Sequence, residues 1–246
     1  MIKLQLPEKP VELTEEEELK LINEFKANGT AVWRKKYIVD ALLEMSSYKC
    51  AYSEQALNVE SAYMEVEHFK HKDKYKGDVV KWGNLLPACK KCNTTKNKWD
   101  VLEYPIVNPL VDVPGESLYV KGFRFYKKNE KGHNTIDAVA LNDRDHFVNP
   151  RALIGLSLAE KLEAYFERIK EVDTLRRRQN AMNNIKSLLR DCGPQHVYSA
   201  VLSTYILYEL PTYKELEDYL RGQSLWDEEL EEIKTSLLTI ALPEHS

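Results

Sequence analysis

Residues 85–97 read LLPACKKCNTTKN, and the two cysteines separated by two residues, Cys89 and Cys92, constrain the fold more than any other feature. A CxxC turn is half of a tetrahedral metal site, so the chain either brings further ligands to it or packs it as a plain turn. The candidate for the other half is CAYS, residues 50–53, where Cys50 has Ser53 in the place of a second thiol. A serine hydroxyl stays neutral near pH 7 and is a poor zinc ligand. Two arrangements follow. One is a three-cysteine zinc site on Cys50, Cys89 and Cys92, with His71 or a water as the fourth ligand. The other is a metal-free knuckle packed by Tyr48, Tyr52 and Leu85.

The fourth cysteine, Cys192, stands far away, and with His196 it reads as a buried thiol near a cap rather than as a ligand pair. No apolar run reaches eighteen residues, and the N-terminus MIKLQLPEKPVEL has neither the basic nor the apolar region of a signal peptide. A soluble cytoplasmic protein without a membrane partner is expected. The net charge of −4 is unevenly spread: nine lysines against Asp73 and Asp78 give +7 between His68 and Lys98, and −11 elsewhere. A basic island in an acidic chain is either a solvated loop or the electrostatic footprint of a phosphate-binding surface.

The hydrophobic patterning suggests an α+β protein in three parts. Residues 1–46 read as helical: Thr14-x-x-Glu17 is a capping box that opens a helix closed by Asn28-Gly29, and a second helical pattern runs over 31–45. Residues 47–150 hold the Cys/His/Asn/Lys-rich stretch and a β-rich extension, with strands expected in SLYVKGFRFY and TIDAVALN and turns at NEKG and LNDRD. Residues 151–246 are helical, starting with one long amphipathic segment from Leu158 to Arg190 and including a helix that starts at Pro211. The helical region reads as a packing or partner-docking platform. Arg176-Arg177-Arg178 reads as a solvated face, His133 and His146 as surface residues, and Asp112 as a turn cap.

Chemistry concentrates between residues 66 and 98. Val66-Glu67-His68 sets a carboxylate beside an imidazole, and Asn93 and Asn97 follow at helical i, i+4 spacing. A carboxylate and two amide oxygens suit a hard cation, Mg²⁺ or Mn²⁺, rather than Zn²⁺. His68, left unligated, is suited to take a proton from water.

The order Cys50…Glu67-His68…Asn84…Cys89-x-x-Cys92-Asn93…Asn97 resembles the HNH endonucleases. The resemblance implies a ββα-metal core with flanking helices, in which Glu67 is a metal ligand, His68 the general base and Asn84 the residue that ties the loop. Asn93 and Asn97 would complete the metal site, and Lys96, Lys98 and His71 would meet phosphate. Downstream, PIVNPLVDVP and TIDAVALNDRDHFVNPR look like HNH proteins associated with retrons and with Septu-type antiphage systems. That likeness implies a nuclease effector of bacterial defence working beside an ABC/SMC-like ATPase. DNA is the expected substrate; structured RNA such as tRNA, or a non-catalytic nucleic-acid-binding subunit, are the alternatives.

Overall fold

The computed structural model describes residues 1–57, 63–171 and 174–245, which form two compact units. The first comprises Met1–Leu118 with Lys127–Leu141, and the second Tyr119–Tyr126 with Asn142–Ser246. The mixture of helices with two small antiparallel strand pairs is the α+β class expected from the sequence. No helix among the described residues is long and apolar enough to cross a membrane.

In the first unit, helix α1 (Glu15–Asn28) starts where the Thr14 side chain accepts from the Glu17 amide, and it stops at Gly29 in the left-handed conformation (φ 68°). Helix α2 spans Lys36–Met45, five residues later than the pattern suggested, because residues 31–34 form turns. Both helices lay their apolar faces (Leu21, Phe25, Ile38, Leu42) on a core shared with Val66, Val79, Val80 and Leu85. Strands β1 (Glu65–His68) and β2 (Leu85–Ala88) pair antiparallel, with Glu67 opposite Leu86 and His68 opposite Leu85. Helix α3 (Lys90–Lys96) follows directly, with Cys89 at its N-cap. This is a ββα unit.

Helix α4 (Glu130–Ala138) takes the first half of the stretch read as the strand TIDAVALN, and turns take the second. The Asn129 side chain accepts from the Gly132 amide, so the expected NEKG turn is instead a helix cap. Thr135 and Ala138 bury on one face beside Gly132, whose Cα lies so close to the Ser117 carbonyl that a Cβ would fall 1.9 Å from that oxygen. Capping and tight packing outweigh the β-propensity of Thr and Ile here.

The second unit opens with the hairpin of β3 (Leu118–Lys121) and β4 (Arg124–Lys127), whose outer residues Leu118 and Lys127 belong to the first unit, as SLYVKGFRFY suggested; Gly122 and Phe123 both adopt positive φ at its turn. The expected single long helix is two. Helix α5 (Asn149–Glu171) and helix α6 (Leu175–Arg190) are separate because the Thr174 side chain caps the Arg177 amide and starts a new helix. Helices α7 (Ser199–Thr204), α8 (Pro211–Gly222) and α9 (Glu228–Ile240) complete a core of Leu162, Ile185, Leu202, Leu216, Leu220 and Leu230. Cys192 is buried here, and burial pushes its thiol pKa up, consistent with a packing role.

Candidate active site

Alternation along β1 sends Glu65 and Glu67 to one face of the strand and Val66 and His68 to the other. His68 is buried (5% exposed) with its ring edge-on to Trp33, centroids 4.7 Å apart. Its Nε2 lies 2.9 Å from the Val79 carbonyl oxygen. A carbonyl only accepts, so Nε2 carries the proton and Nδ1 keeps the lone pair. Burial lowers the pKa of His68 to about 4; the Val79 hydrogen bond opposes this and the nearby Lys72 and Lys96 charges reinforce it. The imidazole is therefore neutral at pH 7, with its tautomer fixed.

Glu67 is buried as well, and its Oε1 meets Lys96 Nζ at 2.6 Å and the Tyr52 hydroxyl at 3.5 Å. Burial raises its pKa and Lys96 offsets part of that rise. Lys96 also donates to the His68 carbonyl (2.9 Å), so one ammonium ties the end of α3 to both residues of the Glu-His pair. The expectation that Lys96 meets phosphate is corrected here. At 1% exposed and already paired, it is an internal counter-ion. Lys98 is exposed and pairs with Asp73 at 2.7 Å.

Asn84 is buried between β1 and the loop that follows. Its Oδ1 accepts from the Lys70 amide (2.8 Å), and its Nδ2 donates to the carbonyls of Lys70 (3.2 Å) and Asp78 (3.0 Å). These bonds close the loop that carries Val79 toward His68. Asn93 projects from α3 and donates from Nδ2 to Glu65, leaving its Oδ1 for another partner. Asn97 departs from the expected helical face: α3 ends at Lys96, and Asn97 is an exposed C-cap at φ 42° whose amide bonds the Asn93 carbonyl at 3.0 Å. His71 lies edge-on to Tyr75, with Nδ1 buried and without a hydrogen-bond partner.

The Ala51 amide donates to the Pro87 carbonyl at 2.8 Å, and this docks the CAYS turn against β2. The sulfurs of Cys50, Cys89 and Cys92 thereby gather within 4.8 Å of one another, all three residues buried. Ser53 Oγ lies 3.7 Å from Cys89 Sγ, so the serine occupies the corner expected of a fourth ligand, and His71 is not part of the group. Burial resists ionisation of Cys50, yet hydrogen bonds from Cys89, Cys92 and Ser53 hold its thiol well below the usual pKa. Three converging sulfurs that favour one thiolate suit a soft or borderline cation. Of the residues expected to pack this knuckle, Tyr52 and Leu85 are fully buried, whereas Tyr48 is half exposed and does not serve.

Residues 51–98 match the HNH endonuclease family model. The chain is 39% identical over 234 residues to Septu protein PtuB of Bacillus thuringiensis, covering 93% of this chain and 90% of that protein. The chain belongs to the PtuB family of Septu proteins. A second PtuB, from Bacillus mycoides (strain KBAB4), is 25% identical over 242 residues, covering 78% of this chain and 81% of the relative. No solved structure matches.

The donor set of this PtuB-family site suits a hard cation. Glu67 uses Oε1 for Lys96 and Tyr52, which leaves Oε2, and Asn93 retains Oδ1. Two participants escape a motif-based reading. Glu65 is marked only by the alternation EVE, which puts it on the face of Glu67, and Trp33 lies 35 residues from the histidine it touches, with no local signal.

Proposed function

We propose that the chain is a metal-dependent HNH endonuclease that hydrolyses phosphodiester bonds, DNA first, as the nuclease of a bacterial antiphage system. The observation that carries this reading is His68: a buried, neutral imidazole with Nε2–H committed to Val79 and Nδ1 available as a base. Such a group accepts a proton from an attacking water, while Asn84 holds the loop that fixes its orientation. Mg²⁺ or Mn²⁺ held by Glu67 and Asn93, with Asn97 at the rim, would supply charge stabilisation for the phosphate and the leaving oxygen. Lys96 keeps Glu67 and the end of β1 in register, and Lys98 and His71 lie on the lysine-rich side where a nucleic-acid backbone would run. The expected products carry a 5′-phosphate and a 3′-hydroxyl. Zinc on Cys50, Cys89 and Cys92 would pin the CAYS turn to α3.

The likeness to Septu proteins supports a cytoplasmic defence role with an ABC/SMC-like ATPase as partner, for which the helical residues 151–246 are the proposed docking platform. The test is to incubate the purified chain, alone and with a Septu-type ATPase, with plasmid DNA and with total tRNA, with and without Mg²⁺ or Mn²⁺. Cation-dependent plasmid cleavage is the expected result. Cleavage of tRNA alone would replace DNA by structured RNA. Failure to cut either, with binding retained, would make the chain a non-catalytic nucleic-acid-binding subunit.

A further inference from the structure

A cleft of about 400 Å³ opens beside β1, lined by Trp33, Arg34, Tyr63, Met64, Glu65 and Val66. Its volume is in the range of small-ligand pockets, ~300–1,000 Å³. Two aromatic residues, an arginine and a glutamate line one space. Tyr63 is 74% exposed, while Trp33 is half-buried and braced edge-on against Phe25 at 5.7 Å. Trp33 has a second role in the geometry, because the same ring that lines the cleft stands 4.7 Å from the His68 ring. Lys72 Nζ lies over that ring as well, 5.4 Å from its centroid. Cleft and general base therefore share a wall.

Flat apolar faces beside cationic groups are the recognition chemistry of an unstacked nucleobase and its phosphate. Arg34 and Lys35 stand at the start of α2, whose N-cap, Lys35, makes no side-chain hydrogen bond to its first-turn amides, so a flanking phosphate would find both charge and helix dipole. We propose that this cleft is a nucleobase site, which receives a base splayed from the strand next to the scissile phosphate, between Tyr63 and Trp33. The inference rests on the nuclease reading and extends it: the chain selects unpaired nucleotides, and blunt duplex is a poor ligand unless a base is extruded.

The test uses the full chain without added divalent cation and oligonucleotides carrying one 2-aminopurine, whose fluorescence is quenched by stacking on an aromatic ring. Single-stranded DNA, single-stranded RNA and blunt duplex are titrated in parallel, so that the sugar preference is read from the same data. Quenching with either single strand, weaker with duplex, is expected. Tyr63→Ala is expected to weaken single-strand affinity roughly tenfold, the ~1.4 kcal/mol of one stack, and Tyr63→Phe to restore it. Equal binding and quenching by Tyr63→Ala and the parent chain would overturn the site. Binding that does not distinguish single strand from duplex would do the same. If the parent chain shows base-dependent quenching but never cuts nucleic acid, the nuclease reading fails while the site stands. If it cuts and Tyr63→Ala binds as the parent does, the site fails alone.

Discussion

The buried face of α3 carries a thiol at one end, Cys92, and an ammonium at the other, Lys96, one turn apart. Around the first, Cys50, Cys89 and Ser53 gather; around the second, Glu67, the His68 carbonyl and Tyr52. The two ends solve the same problem, polar groups inside a small core, with opposite chemistry. The cysteine end concentrates soft donors and favours a single negative charge that a cation would neutralise. The lysine end already holds its cation, so the carboxylate proposed as a metal ligand is buried without being left uncompensated. A unit with so short a sheet holds its candidate site residues by these two clusters as well as by its strands.

The largest effect separates the two ends by activity. His68→Ala removes the proposed proton acceptor and is expected to lower cleavage by ~10²–10⁴-fold, with the circular dichroism spectrum of the parent retained at a temperature well below melting and the melting temperature lowered by the lost contacts with Trp33 and Val79. Cleavage within a few-fold of the parent would remove His68 as the base. Lys96→Met comes next and acts on stability: it leaves Glu67 buried without its counter-ion, with only the Tyr52 hydroxyl near it, at a cost of about 3–5 kcal/mol in denaturant unfolding. Adding Glu67→Gln to that variant should recover most of the loss. Equal instability of single and double variants would mean that Lys96 matters for packing and not as a counter-ion.

These predictions also show what the sequence made legible. The order of Glu67, His68, Asn84 and the CxxC-Asn step pointed to a ββα unit through its resemblance to the HNH endonucleases, and the strands and α3 lie where that resemblance implies them. Lys96 was not legible in the same way. A lysine in KKCNTTKNK reads as solvent-facing, and only the carboxylate 29 residues earlier, across the ladder, makes its burial affordable. Asn97 followed helical spacing on paper, but α3 is too short to carry it. The TIDAVALN stretch was misread as a strand because its β-branched residues are local, whereas the close Gly132–Ser117 approach that favours the helix is tertiary. Likewise, the break between α5 and α6 depends on a single cap, Thr174, inside an unbroken apolar period.

A pH titration tests the environment of the lysine end. The unfolded chain takes up a proton at His68 below about pH 6.5, whereas the folded chain refuses it until about pH 4. The unfolded state thus binds more protons through that window, and stability falls as pH drops across it, by up to about 3 kcal/mol. His68→Phe should flatten this component of the stability curve between pH 6.5 and 4. An unchanged slope would show that other groups carry the acid sensitivity.

The smallest effect belongs to the cysteine end. Ser53 Oγ stands 3.7 Å from Cys89 Sγ, close to the roughly 3.8 Å that separates sulfurs on a tetrahedral zinc with 2.3 Å bonds. Ser53→Cys therefore places a fourth thiol where the backbone already points one, without rearranging the turn that the Ala51–Pro87 hydrogen bond holds. The gain is small if Cys50, Cys89 and Cys92 already retain a metal, because the added thiolate then replaces a weaker oxygen ligand. We expect a rise of about 1 kcal/mol, or roughly 2–4 °C in melting temperature for a chain of this size, together with slower zinc loss to a chelator. Cleavage per folded molecule should be unchanged, since the end of α3 beside Glu67 and His68 is left alone. If Ser53→Cys lowered the melting temperature and bound no zinc, the cluster would be a packed thiol knuckle, and the likeness between the two ends of the helix would stop at burial.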